Sequence, residues 1–329
     1  MTDSSAANAL HLLFPKAWGA ALAEARFRVK PEDFVVDEEL GFEASGAGEH
    51  HLVHLQKIGT NTEWLARKIA EFCQVNPMDV GYCGLKDRHA VTRQWFSVYA
   101  PKTERYDWSS FVAGVDDEVT LLGATKHHKK LKRGQHQFNR FRITLRDFHA
   151  SAPDVAARMK QIAQFGVPNY FGEQRFGSNG NNLHAAEAWA NGARTRKSQK
   201  HFAISAARSY LFNLTLAQRV EAGEWRTLLV GDQEVSGAPS GPLWGRGRSS
   251  VTDRAAQIEQ AVLAPFEHWC AALEHCGLHQ ERRSLVSNPR DLTYEHTTGQ
   301  VILAFGLPAG EFATSVLREL AELMPVNRP

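Results

Sequence analysis

The chain has 329 residues, 43% of them hydrophobic, and a formal net charge of +2. That length favours two domains with sizeable cores, and no segment approaches the ~20 consecutive apolar residues of a membrane span. The near-neutral balance excludes a globally polybasic protein, so any affinity for nucleic acid has to come from local patches.

The first residues, Met1-Thr2-Asp3-Ser4-Ser5, lack the basic start of a signal peptide, and the expected compartment is the cytoplasm. Four cysteines, Cys73, Cys83, Cys270 and Cys276, are too few and scattered for a disulfide framework, which suits a reducing compartment. Residues 26–58 read as strands around a glycine-rich turn, Gly41 to Gly48. A helix follows, with Thr60 and Glu63 as a capping box and Leu65, Ile69 and Phe72 on one face. Gln94 to Tyr99 reads as a strand.

Residues 138–145 alternate. Asn139, Phe141, Ile143 and Leu145 share one face; Phe138, Arg140, Arg142 and Thr144 share the other. Asn139 and Phe141 can therefore reach one ligand together. A helix is expected over about 153–165, with Val155, Met159 and Ile162 inward, Gly166 as its stop and Pro168 preventing continuation. The stretches Ser236 to Pro242 and Trp244 to Arg248 read as turns. A last helix is expected around Val316, Leu317, Leu320 and Leu323, capped by Thr314 or Ser315 and stopped by Pro325. No internal repeat, dinucleotide fingerprint or P-loop is present in the sequence.

The most informative string runs from Gly81 to Phe96 and contains Lys86-Asp87-Arg88-His89-Ala90-Val91-Thr92. Asp87 lies between two cations, an environment that favours a charged carboxylate able to act as nucleophile or electrostatic stabiliser. It also precedes a strand, so it sits on a loop fed by a rigid element. The string closely resembles the catalytic motif of the TruD family of tRNA pseudouridine synthases. Four further strings resemble that family's motifs in order: Lys30 to Val36, Asn139-Arg140-Phe141, Val167-Pro168-Asn169-Tyr170-Phe171-Gly172-Glu173-Gln174-Arg175-Phe176-Gly177, and Leu307 to Ser315. Together they cover about residues 28–320. Residues 215–300 carry almost none of the likeness.

The resemblance implies an α+β fold. It implies a discontinuous catalytic domain, residues 1–165 and 287–329, with a mixed, largely antiparallel sheet and flanking helices. Residues 166–286 would form an inserted α+β TRUD domain, with RNA in the cleft between the two. It implies isomerisation of uridine 13 in the D-arm of tRNA, with Asp87 as nucleophile and Arg28 as its ion-pair partner. Lys86 and Arg88 stay open as alternative partners. Phe34, Asn139, Phe141 and Phe312 are carried over as substrate contacts. Attack on ribose C1′, attack on uracil C6 and a glycal route all stay open. No metal or redox cofactor is needed, because the bonds are rearranged without net oxidation or hydrolysis. The implied partner is tRNA, with no membrane and no obligatory protein partner.

The run Lys126 to Arg133 holds five fixed cations in eight residues. Lys129, Lys130, Lys132 and Arg133 are read as phosphate contacts beside the Asn139 strand. A second basic run spans Arg194 to His201. His268, Cys270, His275, Cys276 and His279 cluster, but without the tight pairs of a zinc site, and no metal ligand is assigned. Glu32 and Asp33, read on a strand, would point to opposite faces and so not form an acid–base pair. The rival readings are a non-catalytic RNA-binding protein or chaperone on the same fold, and a carboxylate-dependent hydrolase. A hydrolase would want a second carboxylate or a metal.

Overall fold

A computed structural model describes residues 10–115 and 118–324. In chain order it forms strands β1 (Ala23–Phe27), β2 (Phe34–Glu39) and β3 (His50–Lys57), helix α1 (Thr62–Cys73), strands β4 (Val80–Tyr82) and β5 (Val91–Tyr99), helix α2 (Trp108–Val115), strands β6 (Val119–His127) and β7 (Phe138–Phe148), and helix α3 (Ala152–Phe165). Next come β8 (Val167–Pro168), α4 (Asn181–Ala190), α5 (Lys197–Glu221), β9 (Glu234–Val235), β10 (Ala238–Leu243), α6 (Asp253–Leu263), α7 (Glu267–Glu274), β11 (Glu281–Ser284) and β12 (Val286–Ser287). The chain closes with β13 (Arg290–Thr297), β14 (Gly299–Pro308), α8 (Ala313–Leu317) and β15 (Ala321–Met324).

Among the described residues the chain forms two compact units. One takes in residues 21–163, 289–310 and 320–324; the other takes in 10–20, 164–288 and 311–319. The second unit thus gathers residues 10–20 and 311–319, which the family resemblance places in the catalytic segments.

The first unit is built on one mixed sheet in the order β13-β14-β7-β2-β5-β3-β6, with β1 pairing β7 and β15, and β4 pairing β5. Most pairs are antiparallel; β2 runs parallel to β5, and β1 parallel to β15. Helix α1 buries Leu65 and Ile69 completely against Phe96, Val98 and Phe111. Each such side chain contributes about 1.5–3 kcal/mol by leaving water. Phe72, expected on the same face, is 37% exposed and lies against the ring of Phe111. The cap of α1 is Asn61, whose side chain accepts from Glu63 N and Trp64 N. Thr60 instead donates to Ile58 O, so the expected Thr60–Glu63 box does not form.

The second unit packs α4, α5 and α7 around Trp269, Tyr210 and Leu211, all nearly or fully buried. A small sheet, β11-β10-β9, lies in the same unit. The stretch read as a turn at 238–242 is strand β10, buried at Ala238, Pro239, Ser240 and Gly241. Pro239 has no N–H to donate, but its carbonyl accepts from Leu285 N at 2.8 Å. The expected last helix is also corrected. Only Ala313–Leu317 is helical, and Ala321–Met324 pairs with β1, so tertiary pairing overrides the helical spacing. Pro325 lies outside the described residues. Glu32 and Asp33 fall in a 3-10 turn rather than a strand, and the carboxylate of Asp33 is held by Arg146 at 2.7 Å.

Replacing Asn61 by Ala should cost about 1 kcal/mol of stability, the usual loss for a helix N-cap. Urea unfolding of the variant beside the parent measures it.

Candidate active site

Asp87 sits on the loop between β4 and β5, and hydrogen bonds from buried side chains hold that loop. Gln94 Nε2 donates to Gly84 O at 2.6 Å, and Lys86 N donates to Thr62 Oγ1 at 3.1 Å. Thr62 Oγ1 in turn donates to Gln94 Oε1 at 3.2 Å. Thr62 and Gln94 are essentially sealed from water. The first residue of α1 and the fourth of β5 therefore grip the loop from below.

The two carboxylate oxygens of Asp87 have different partners. Oδ1 accepts from His89 N at 2.9 Å, a local turn bond. Oδ2 pairs with Arg28 Nη1 at 2.5 Å, the side chains being 21% and 13% exposed. Arg28 follows the end of β1 with φ +59°, a left-handed conformation uncommon outside glycine. Its guanidinium lies 4.7 Å from the Phe27 ring centre and 4.2 Å from that of Phe34. Cation–π stacking and the ion pair offset the backbone cost of about 1–3 kcal/mol.

Lys86 does different work. Its Nζ is 2.7 Å from Glu38 Oε2, and both side chains are nearly inaccessible. The same Nζ donates to Asn139 Oδ1 at 2.6 Å. Glu38 and Asn139 are direct partners in the β2–β7 register, so one lysine spans two neighbouring strands. The Asn139 amide nitrogen faces His136 Nε2 at 3.0 Å. Burial, with Lys86 adding to it, pushes His136 down to about 4, so its ring is neutral at pH 7 and Nε2 accepts. Asn139 keeps one N–H and one lone pair unused in these two contacts. The rings of Phe34 and Phe141 pack at a tilt with centroids 5.8 Å apart, and Phe141 continues onto Phe305 at 5.5 Å. Both Phe34 and Phe141 are under 10% exposed.

Asp87, Arg28, Phe34, Asn139 and Phe141 thus lie in one unit. Phe312 belongs to the other, where its ring packs against Phe171 at 5.7 Å. Arg88 is exposed. Sequence reasoning missed Glu38, Thr62, Gln94, His136 and Lys57. Lys57 is fully buried, donates to Thr60 O at 2.7 Å, and is pushed down to about 8 by burial against the opposing field of Asp87. Only Glu38 had a local signal, its alternation with Phe34 and Val36 on β2.

The basic run forms the turn between β6 and β7. Lys129, Lys132 and Arg133 are exposed and, with Lys130, Gly134 and Gln135, line an open depression of about 430 Å³. Lys130 Nζ donates to Met78 O, and Arg133 lies 4.4 Å from the Tyr82 ring centre. Leu131 anchors the turn in the core, and Gly134 N donates to Cys83 O at 2.7 Å. The basic turn is thereby tied to the start of the Asp87 loop. In the other unit, Lys197 and Lys200 open helix α5. His268 bonds Glu187 at 3.0 Å and Cys270 is buried. Among the described residues no group of three could hold a metal ion, and no helix is long and apolar enough to cross a membrane.

The comparisons with known proteins agree with one another. A family model described as tRNA pseudouridine synthase D (TruD) matches residues 17–192 and 233–320. A tRNA pseudouridine synthase D of Cellvibrio japonicus is 46% identical over 317 residues, covering 94% of this chain and 93% of the relative. One from Methylococcus capsulatus is 42% identical over 342 residues, with 96% of each covered. A crystal structure assigned to tRNA pseudouridine synthase D (TruD) from Methanosarcina mazei matches with TM-score 0.66 at 21% identity, covering 93% of this chain and 95% of that one. The mixed α+β architecture is that of a pseudouridine synthase. Within that class the chain belongs to the tRNA pseudouridine synthase D (TruD) family.

The depressed His136 sets a pH window. The unfolded chain protonates this histidine near 6.5, the folded one only near 4. As pH falls, the unfolded state takes up the proton first, so the contribution is fully present above about 6.5 and is lost as pH falls through about 4. Ring nitrogen shifts in an NMR titration should show His136 neutral at pH 5. Unfolding stability should fall less steeply between pH 6.5 and pH 4 in His136→Gln than in the parent.

Proposed function

We propose that this chain isomerises uridine 13 in the D-arm of tRNA to pseudouridine, with Asp87 as the nucleophile and Arg28 as its ion-pair partner. The observation that carries the reading is the 2.5 Å pair between Arg28 and Asp87, held beside the Phe34 ring. One oxygen of Asp87 is fixed by a backbone N–H and the other by a guanidinium, so the carboxylate is aimed before substrate arrives. In the reaction the N1–C1′ bond breaks and a C5–C1′ bond forms. The C5 hydrogen leaves as a proton and N1 gains one. Atoms and electrons balance without an oxidant or water.

A uridine within folded tRNA must be turned out of its stack before a side chain can reach its glycosidic bond. Phe34 and Phe141 then supply faces for the base, Asn139 supplies a donor and an acceptor to its edge, and Phe312 is read as a further contact to the RNA. Lys86 serves to orient Asn139 rather than to neutralise Asp87, which supports Arg28 as the partner. Lys129, Lys130, Lys132 and Arg133 contact phosphates from a turn bonded to the Asp87 loop. Residues 166–286 are read as the family's inserted domain, and the cytoplasm, where tRNA is found, as the compartment.

Asp87→Asn should fold, bind tRNA within about twofold of the parent, and form no pseudouridine, because Asn keeps the shape but is a poor nucleophile. Tritium release from uridine C5 and tRNA affinity at fixed salt, on one preparation, test this. Near-parental release would remove Asp87 from the mechanism. Parental binding with no tritium release from the parent itself would favour a non-catalytic RNA binder.

Thr62→Val should lower turnover by roughly 10-fold or more while leaving tRNA affinity alone, because it frees the Asp87 loop without touching RNA. Thr62→Ser, which keeps the hydroxyl, should behave like the parent. Single-turnover rates at saturating enzyme separate this from a binding defect.

A further inference from the structure

The string 167–177 packs Phe171 and Arg175 into a site that lies wholly within the second unit. The backbone of Phe171 is held on both sides by Asn213, with Phe171 N to Asn213 Oδ1 at 2.9 Å and Asn213 Nδ2 to Phe171 O at 3.0 Å. Ser315 Oγ donates to Tyr170 O at 2.8 Å and draws the start of α8 alongside. Gly172 permits that approach, since a Cβ there would lie 2.8 Å from Thr314 Oγ1. The result is a half-buried pair of rings, Phe171 and Phe312, that cannot easily move.

Two guanidiniums flank these rings. Arg283 lies 4.2 Å from the Phe171 ring centre and bonds Asn169 Oδ1, and Glu311 opposes its charge. Arg175 lies 5.5 Å from the Phe171 ring centre and 5.9 Å from that of Phe312. Among the described residues its guanidinium makes one hydrogen bond, from Nη1 to Ser205 Oγ at 2.9 Å, and no carboxylate pairs with it. Its other nitrogens are not sealed in the interior. Removing a guanidinium from water without an anion is costly. A fold that keeps it so, with its stem on aromatic rings and its fork open, presents a bidentate donor for an external phosphate.

We propose that Arg175 binds a phosphodiester of the RNA, with Phe171 and Phe312 forming the platform on which the adjoining nucleotide rests. This rests on the reading of the chain as an enzyme acting on RNA. Arg283 serves as a positioning residue, holding Phe171 in place while Glu311 meets its charge.

The test uses the full chain and Arg175→Gln, with fluorescence anisotropy of labelled tRNA over a range of salt. The variant should melt close to the parent. It should bind about 5- to 10-fold more weakly near 0.1 M salt, with a log–log salt slope shallower by roughly 0.7–0.9 for one lost phosphate contact. Parental affinity and slope would overturn the proposal. If the variant does not fold, phenylglyoxal modification of the parent decides. Saturating tRNA should protect Arg175 from the reagent, and equal modification with and without tRNA would overturn the proposal. Tritium release by the parent is measured in parallel. An active parent whose Arg175 is indifferent to tRNA sinks this site alone, whereas a parent that releases no tritium sinks the functional reading.

Discussion

Strand β7 is the constraint on which the first unit depends. It pairs with β14 over ten positions, with β2 over six and with the end of β1. These registers put Asn139 opposite Glu38 and Phe141 opposite Val36, and bring Phe27 against Leu145 just before Arg28. Side chains on a strand alternate faces, so a slip of one residue would turn Asn139 and Phe141 away together. Ile143 and Leu145 are fully buried, and exposing them would cost several kcal/mol. The core therefore holds the register, and the register places the candidate site.

Charge is allocated within that frame by burial. Asp87 has cations on both sides in sequence, yet neither neighbour is its partner. Lys86 turns inward to Glu38, and Arg88 faces water. A buried carboxylate such as Glu38 requires a cation, because an unpaired charge in the interior costs far more than a surface ion pair returns. Once Lys86 is committed there, Asp87 is left to Arg28, whose stacking on Phe27 and Phe34 fixes its approach. Lys86 then carries the same order outward to Asn139, and a neutral His136 fixes the other end of that amide.

The second unit uses arginine and aromatic rings in another way. Arg219 and Asp232 are a nearly inaccessible pair that ties α5 to the segment before β9. Arg282 and Glu259 form a similar pair between β11 and α6. Both ion pairs join elements of the core. Arg175 is less buried than either pair, and among the described residues no carboxylate pairs with it.

The sequence by itself determined what depends on short separations. The inward faces of α1 and α3, the alternation along β7, and the Asp87 string feeding β5 are all written in spacings of two, three and four residues. So are the five motifs that identify the family. It failed where a distant element decides. Residues 321–324 have helical spacing but lie beside β1, and 238–243 have turn composition but lie between β9 and β11. Thr62, Gln94, His136 and Lys57 carried no mark of their roles, and Glu38 only its alternation along β2. The partners of Thr62 and Gln94 lie on the loop that bears Asp87, and that of Glu38 is Lys86; Lys57 and His136 bond groups only three residues away, at positions that only the fold buries. Local propensity amounts to a few tenths of a kcal/mol per residue, whereas sheet pairing and burial bring several kcal/mol at once. The tertiary structure therefore decided which strands meet, which cation serves which carboxylate, and where Phe312 packs.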